Sequence, residues 1–154
     1  MLASAGSAMT SPLSPCLDDE GARLAVESIN RLRAQHAPCA EAQALNALTW
    51  QPSLAATAGD LAADLAWRDE LSHFDARQRA LGARLAAAGY PARTAGENLA
   101  AGQRDFPQTL DAWARSPKHC ENLMSPLFEE VGLACVERRG SRYERFWVAQ
   151  LARR

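Results

Sequence analysis

The sequence predicts a single α+β domain in which helices pack against a small antiparallel sheet. Apolar residues recur at helical spacing in the first half of the chain, and two strand-like runs, 131–137 and 143–151, follow near its end. The 154 residues are 47% hydrophobic and 23% charged, as in a globular domain that buries its own core. Helices before and after a small sheet favour a layered sandwich.

The first helix is predicted over 18–36. Asp18 or Asp19 can cap its start, acidic residues crowd its first turn, and Pro38 ends it. His36, near the end of this helix, is interpreted as a surface residue that favours the helix dipole, and it is given no function.

Three more helices are predicted after the first. The second begins at Pro52, whose missing N–H costs nothing in a first helical turn, and runs to about Glu70. A short third helix spans 76–88 and ends before Gly89, a typical helix stop. The fourth spans 107–115. The tryptophans are scattered, which favours core positions over a base-stacking platform: Trp50, Trp67, Trp113 and Trp147.

The two strand-like runs are joined by a hairpin at 138–141, and a further short strand is predicted near 98–102. Residues 1–17 are small, polar and Pro/Ser-containing, which predicts a flexible lead-in before one domain at 18–154. The lead-in lacks the basic and apolar regions of a full signal peptide. The remnant of a cleaved signal and a disordered lead-in both stay open.

Charge and hydropathy exclude two classes of partner. The chain has 17 basic and 18 acidic side chains, so no overall positive field attracts nucleic acid, and the basic C-terminal end is interpreted as solvated surface. No stretch approaches the roughly 18 apolar residues of a membrane span. We therefore expect no nucleic-acid partner and no membrane span, and a monomer is favoured.

Four dispersed cysteines favour two disulfides and an oxidising compartment: Cys16, Cys39, Cys120 and Cys135. None of them has the spacing of a metal knuckle. The residues themselves allow three pairings, and four buried free thiols remain the alternative.

Two segments about twenty residues apart carry a family resemblance. They read GENLAAG at 96–102 and WARSPKHCENLM at 113–124, with SHF at 72–74 upstream and FEEVG at 128–132 downstream. In this order they resemble the bacterial branch of the CAP superfamily, which includes cysteine-rich secretory proteins, antigen 5 and pathogenesis-related class 1 proteins. The resemblance covers roughly residues 20–151 and implies a three-layer α–β–α sandwich.

The resemblance also implies specific disulfides and hydrogen bonds. It favours a disulfide between Cys39 and Cys120, which leaves Cys16 to pair with Cys135. The run at 29–33 is similar to the family's first-helix signature, in which an Asn and an Arg spaced by three tie the helix to neighbouring loops by hydrogen bonds.

The family's paired cleft histidines match His73 and His119, and its Gly-Glu-Asn glutamate matches Glu97. Two imidazoles and a carboxylate can bind a divalent metal such as zinc with an open position, or form an acid/base pair near neutral pH. A second cleft glutamate is expected three residues after Trp113, where this chain has Ser116. Glu121 is a possible substitute.

Other interpretations of these residues are weaker. Glu97 and Asn98 can instead bond backbone amides and lock the cleft, because buried carboxylates need partners. Serines near the two histidines suggest a serine hydrolase, but no Gly-x-Ser-x-Gly turn is present. Cys120 beside His119 is not a usable dyad, since adjacent helical residues diverge by about 100°.

The resemblance therefore implies a secreted or periplasmic CAP domain with a cleft lined by His73, Glu97 and His119. We expect that cleft to bind a lipid, a sterol or a divalent metal, with the two histidines as metal ligands, and to be non-enzymatic. The alternative is a metal-dependent hydrolase in which the same three residues are catalytic.

Overall fold

The computed structural model describes residues 12–35, 39 and 45–154. Within them the helices and strands follow in the order β1 (Ser14–Pro15), α1 (Asp19–Ala34), β2 (Thr49–Trp50), α2 (Pro52–Arg68), α3 (Leu81–Ala87), β3 (Thr94–Ala101), α4 (Phe106–Arg115), α5 (Pro117–Leu123), β4 (Glu130–Glu137) and β5 (Arg145–Arg153). None of these helices is long and apolar enough to cross a bilayer. His36 lies outside the described residues.

The sheet has the order β1-β4-β5-β3, with the short β2 parallel to β4. Strands β4 and β5 form an antiparallel hairpin that closes at the pair Glu137–Arg145. Strand β3 runs antiparallel to β5, with Glu97 opposite Gln150. Strand β3 is therefore an edge strand, and Glu97 lies in its middle.

Two helical layers cover the sheet. One face packs against α2 and α3 through Leu99, Val148 and their neighbours. The other face packs against α1, α4 and α5, where Ile29 and Trp113 lie in the core. Side chains alternate between the two faces along each strand, as the pleat requires. The predicted α+β fold, an α–β–α sandwich, is confirmed.

Helix α1 is held to its neighbours by the predicted Asn and Arg. Asn30 exchanges two hydrogen bonds with the backbone of Leu48, at 3.0 and 2.7 Å. Arg33 is buried and donates from Nη1 to the carbonyls of Leu123 and Ser125, at 2.7 and 3.0 Å. Asp18 accepts from the N–H of Gly21 and caps the helix. These contacts confirm the tethering role expected for the first helix.

The third helix begins at Leu81, and the prediction that it starts at residue 76 is wrong. The carboxylate of Asp75 accepts hydrogen bonds from the N–H groups of Arg77 and Arg79, at 3.0 and 2.8 Å. Gln78 has a positive φ of 61° in the same loop. Side-chain bonding to nearby amides competes with helix formation, so the chain turns here.

The strand predictions were incomplete at three places in the chain. β3 begins at Thr94, four residues before the predicted start, because it pairs with β5 as far as Arg153. The strands β1 and β2 were not predicted, and two residues are too short for a period-2 pattern. Helix α5 is a separate element that begins at Pro117.

Trp67 is the exception among the tryptophans predicted to be core. Its exposed fraction is 60%, whereas Trp113 and Trp147 are buried. Trp67 lies in the last turn of α2, and its ring contacts the guanidinium of Arg138.

Two disulfides link the chain before and after α1 to the rest of the domain. Cys16 pairs with Cys135 of β4, and Cys39 pairs with Cys120 of α5. These are the pairs that the family resemblance implies. The part of the lead-in at 12–17 is attached to the sheet, since β1 also pairs with β4.

Replacing Cys39 and Cys120 together by serine is expected to lower the free energy of unfolding by about 2–4 kcal/mol, because the bridge closes a long loop in the unfolded chain. The bridge spans 81 residues. Urea unfolding without reductant measures the loss, and the variant Cys16→Ser/Cys135→Ser serves as a matched comparison. An unchanged midpoint in the Cys39/Cys120 variant would contradict the expectation.

Candidate functional site

The three residues predicted for the cleft come from three different elements. Glu97 lies on the edge strand β3, His73 follows α2, and His119 lies in α5. α2 packs on one face of the sheet and α5 on the other. His73 and His119 therefore approach the open edge of β3 from opposite layers.

Glu97 is buried and its carboxylate is saturated with hydrogen bonds. Its side chain is 3% exposed. Arg84 donates from Nη2 to both carboxylate oxygens at 2.9 Å, and Gln150 donates from Nε2 to Oε2 at 3.0 Å. His73 Nδ1 lies 3.0 Å from Oε1. A buried carboxylate needs such partners, and here they leave little lone-pair capacity for a ligand.

Arg84 holds both members of the His73–Glu97 pair. It comes from α3, is buried, and also donates from Nη2 to the carbonyl of His73 at 3.1 Å. The guanidinium thus fixes the loop backbone that carries the imidazole as well as the carboxylate that orients its ring.

The series of buried hydrogen bonds continues from Glu97 across β5 to α2, on one face of the sheet. Gln150, directly opposite Glu97, is fully buried and bonds through Oε1 to the hydroxyl of Thr57. The hydroxyl of Thr57 also lies within hydrogen-bond distance of the carbonyl of Ser53 in α2. Buried polar groups are costly unless paired, so this series specifies one arrangement of α2, β5 and β3.

Asn98 anchors the opposite layer. It is fully buried, and its Nδ2 donates to the carbonyl of His119 at 3.0 Å. Asn122 donates from Nδ2 to Asn98 Oδ1 at 2.9 Å. Trp113 donates from Nε1 to the carbonyl of Leu99 at 2.9 Å. The Gly-Glu-Asn segment therefore uses Glu97 to fix one histidine and Asn98 to fix the backbone of the other.

The two histidines differ in environment. Burial lowers the pKa of His119 below its ordinary value of 6.5, and the nearby charge of His73 lowers it further. His73 has a 57% exposed side chain. In the neutral form of His73, the contact with the Glu97 carboxylate places the proton on Nδ1 and leaves a lone pair on Nε2. The tautomer is assigned from this contact.

The two candidate substitutes for the missing second glutamate make no side-chain hydrogen bond to His73, Glu97 or His119. Ser116 is the N-cap residue of α5, and Glu121 is exposed and makes no hydrogen bond with another described residue through its side chain. The described residues contain no group of three or more His, Cys, Asp or Glu side chains arranged to hold a metal ion. A three-ligand centre that includes Glu97 does not fit, because Arg84 occupies both of its oxygens. The two imidazoles alone could contribute metal ligands.

A separate cavity of about 430 Å³ lies beside Arg84, next to the hydrogen-bonded residues around Glu97. Its lining comes from α2, α3 and the loop that contains Asp75, and it includes Arg84 and Thr57. The three predicted site residues do not line it. Arg84 therefore stands between this cavity and the cleft, with Glu97 on its other side.

Sequence reasoning missed Arg84 and Gln150 as parts of the site. Arg84 lies in the predicted third helix, but nothing in its local sequence indicates that its side chain is buried. Gln150 was the stronger signal, because it is the one amide in the apolar run 146–152. A polar residue there needs a buried partner.

Lowering the pH is expected to destabilise the domain through His119. Its folded-state pKa is lowered, so the unfolded chain takes up the proton first, and stability falls as the pH drops from about 6.5 through the lower folded-state value. Urea unfolding at several pH values should show this slope, and His119→Gln should flatten it.

A second measurement separates the two causes of the lowered His119 pKa, which are burial and the charge of His73. In His73→Gln, NMR titration of His119 should give a higher pKa than in the wild type, because one nearby positive charge is removed. A titration curve unchanged by this substitution would contradict the coupling between the two rings.

Comparison with known proteins gives one family match and several similar folds. The model of the family described as "CAP: Cysteine-rich secretory protein family" matches residues 26–151. The uncharacterized protein YkwD of Bacillus subtilis is 40% identical over 45 residues, which is 29% of this chain and 18% of that protein.

Two solved structures show the same fold. An extracellular protein containing a SCP domain from Bacillus anthracis has a TM-score of 0.74 at 24% identity, over 89% of this chain and 41% of that chain. An outer surface protein from Borrelia burgdorferi has a TM-score of 0.78 at 19% identity, over 92% of this chain and 98% of that chain. The chain thus spans less than half the length of both Bacillus proteins.

Proposed function

Because the chain belongs to the cysteine-rich secretory protein (CAP) family, we propose that it is a secreted binding module. Its cleft at the edge of β3, between His73 and His119, holds a ligand and does not convert it. Two disulfides suit an oxidising compartment outside the cytoplasm. The two similar structures are of an extracellular protein and an outer surface protein, which is in keeping with that location.

The observation that carries this proposal is the saturated carboxylate of Glu97. A general base must have a lone pair within reach of the proton that it removes. Here both oxygens accept from Arg84, and Gln150 and His73 take further positions. Glu97 is thus a positioning residue for His73. The candidate replacement, Glu121, is exposed and its side chain makes no hydrogen bond with another described residue.

The chemistry of the two rings limits the ligand. The side chain of His73 is 57% exposed and burial lowers the pKa of His119, and in its neutral form each ring has one nitrogen that accepts a hydrogen bond. They suit a hydroxyl group on a lipid or sterol, or a divalent metal such as zinc. The ligand class is therefore one that donates a hydrogen bond or accepts nitrogen ligands.

A metal-dependent hydrolase is the second candidate, and one contact favours it. Metal-binding histidines commonly donate their second ring N–H to a carboxylate, which orients the ring. His73 and Glu97 have this arrangement. His73 and His119 would hold the metal, which would supply Lewis-acid chemistry when bound. The chain itself would then have to supply a proton acceptor other than Glu97.

Calorimetric titration with zinc tests the metal-dependent candidate. The proteins compared are the wild type, the double variant His73→Ala/His119→Ala, and His36→Ala as a matched control. If neither the wild type nor the control binds zinc at micromolar levels, the hydrolase candidate is dropped. If both bind and the double variant does not, the two cleft histidines are the ligands, and ester and peptide hydrolysis are then measured.

Lipid binding is tested with a fluorescent sterol and a fluorescent fatty acid on the same three proteins. The binding-module proposal is supported if binding perturbs the ring NMR signals of His73 and His119. The same binding should be lost in the double variant. The proposal is overturned by hydrolytic turnover that disappears in the double variant. It is also overturned if zinc, the sterol and the fatty acid all leave the two rings unperturbed.

A further inference from the structure

A second concave site lies beside α2 and α3, where the cavity of about 430 Å³ has a mixed apolar and charged wall. Its volume is within the range of cavities that bind small molecules. The apolar part of the wall comes from Leu61 and from three small residues, Ala76, Ala87 and Ala88. The rest of the wall is mainly charged, so the charges decide which kind of molecule the cavity can hold.

The charged side chains of this wall balance one another. They are three carboxylates and three guanidinium groups: Asp60, Asp64, Asp75, Arg77, Arg79 and Arg84. Asp75 pairs with Arg79 inside this set, at 2.8 Å. Asp64 pairs with Arg68 of the same helix, also at 2.8 Å. Arg84 pairs with Glu97. Counted over the wall, neither sign is in surplus, which favours an occupant with zero net charge.

One carboxylate and one guanidinium of the wall are left over. Asp60 of α2 and Arg77 of the loop before α3 are both exposed, and neither forms an ion pair with another described residue. The N–H of Arg77 donates to the carboxylate of Asp75 at 3.0 Å, which fixes the backbone of this loop. Since charged groups form the strongest hydrogen bonds, these two can receive the oppositely charged ends of one zwitterion.

Arg84 gives an independent reason to expect a ligand. Its side chain is 5% exposed and lines the cavity, and its Nε and Nη1 are buried without an acceptor among the described residues. Its hydrogen bonds to Glu97 and to the carbonyl of His73 all come from Nη2. A buried donor without a partner is costly, so an oxygen that reaches it binds favourably. Both nitrogens are closed to solvent, so this contact requires a shift of the guanidinium toward the cavity.

We propose that the cavity binds a short peptide with free ends. Its ammonium group pairs with Asp60, its carboxylate pairs with Arg77, and a backbone carbonyl accepts a hydrogen bond from Arg84. A peptide combines two separated opposite charges with neutral carbonyl acceptors between them, whereas a free amino acid has no amide carbonyl. The alanines of the wall suit small side chains. The proposal does not depend on the ligand proposed for the cleft.

NMR titration of the full chain with trialanine tests the proposal. Three capped forms are the matched ligands: N-acetyl-trialanine lacks the ammonium group, trialanine amide lacks the carboxylate, and N-acetyl-trialanine amide lacks both. Each lost charge is expected to weaken binding roughly tenfold, because it removes one charge-assisted hydrogen bond. Trialanine should perturb the backbone signals of Arg77 and Arg84. The signal of His73 should move with them, because Arg84 contacts its carbonyl.

Two variants assign the two ends of the peptide. Asp60→Asn should weaken the binding of trialanine and of trialanine amide roughly tenfold, and it should leave N-acetyl-trialanine unaffected. Arg77→Gln should weaken trialanine and N-acetyl-trialanine instead, and leave trialanine amide unaffected. Asp111→Asn and Arg115→Gln are the matched controls, because both residues are exposed on α4, on the other face of the sheet. The controls should bind as the wild type does, and all four variants should melt near the wild-type temperature.

The double variant His73→Ala/His119→Ala separates this cavity from the cleft, and it should bind trialanine as the wild type does. Loss of binding in that variant would place the peptide in the cleft and overturn the proposal. Equal affinity for trialanine and for its doubly capped form would also overturn it. So would binding that neither Asp60→Asn nor Arg77→Gln weakens, or the absence of any perturbation at millimolar trialanine.

Discussion

Replacing Gly132 by alanine is expected to destabilise the domain by about 3 kcal/mol or more. A Cβ atom at this position would overlap the backbone of Leu54 and Ala55 in α2 and would lie 2.7 Å from Leu54 Cβ. These atoms belong to the first turn of a helix that packs across β4 and β5. The helix would have to move away from the sheet to make room.

The movement would also reach the cleft. Gly132 lies opposite Gln150 in the sheet, and Gln150 links Thr57 of α2 to Glu97. We therefore expect Gly132→Ala to broaden the NMR signal of His73 as well as to lower the urea midpoint. Gly82→Ala is the matched control, because a Cβ there meets nothing within 4 Å. Wild-type stability in Gly132→Ala would show that α2 does not pack as described.

Replacing Arg84 by methionine is expected to lower the free energy of unfolding by about 3–5 kcal/mol, since it leaves a buried carboxylate without its cation. The Arg84 and Glu97 side chains are 5% and 3% exposed, so water cannot replace the lost contact. Arg84 Nε and Nη1 are themselves buried and have no acceptor among the described residues, which shows that this guanidinium is itself costly to bury.

A double-mutant cycle tests the pairing directly. Arg84→Met/Glu97→Gln should be less destabilised than the sum of its single variants, because the second change removes the uncompensated charge. Arg115→Met is the control, since the exposed pair with Asp111 contributes under about 1 kcal/mol. Strictly additive losses would mean that Arg84 and Glu97 do not act as a unit.

The network around Arg84 also decides how the cleft is positioned. The same guanidinium binds Glu97 and the backbone of His73. A variant that keeps the fold but frees this loop should therefore change ligand affinity without any change in the imidazoles themselves. Positioning in this family member depends on α3, an element that carries none of the motif residues.

Local sequence was sufficient for much of the architecture. Asp18 as a cap, Pro52 at the start of α2 and the strand-like run at 131–137 are signals carried by near neighbours in the chain. The tethering Asn30 and Arg33 were expected from the resemblance to the family's first-helix signature, in which a spacing of three places the pair on one helical face. The motif around Glu97 and His119 identified the family, and with it the layered fold.

The sequence by itself determined the family, the α+β sandwich and the two segments that meet at the edge of β3. The tertiary structure alone decided how their side chains are paired. Glu97 reads as a ligand or base in the sequence, yet Arg84, 13 residues away, and Gln150, 53 residues away, take up its oxygens. Trp67 has a large apolar side chain of the kind that is usually buried, but it lies on a solvent-exposed face of α2. Both outcomes depend on which distant side chains meet, and that is set by the packing of α2 and α3 on the sheet.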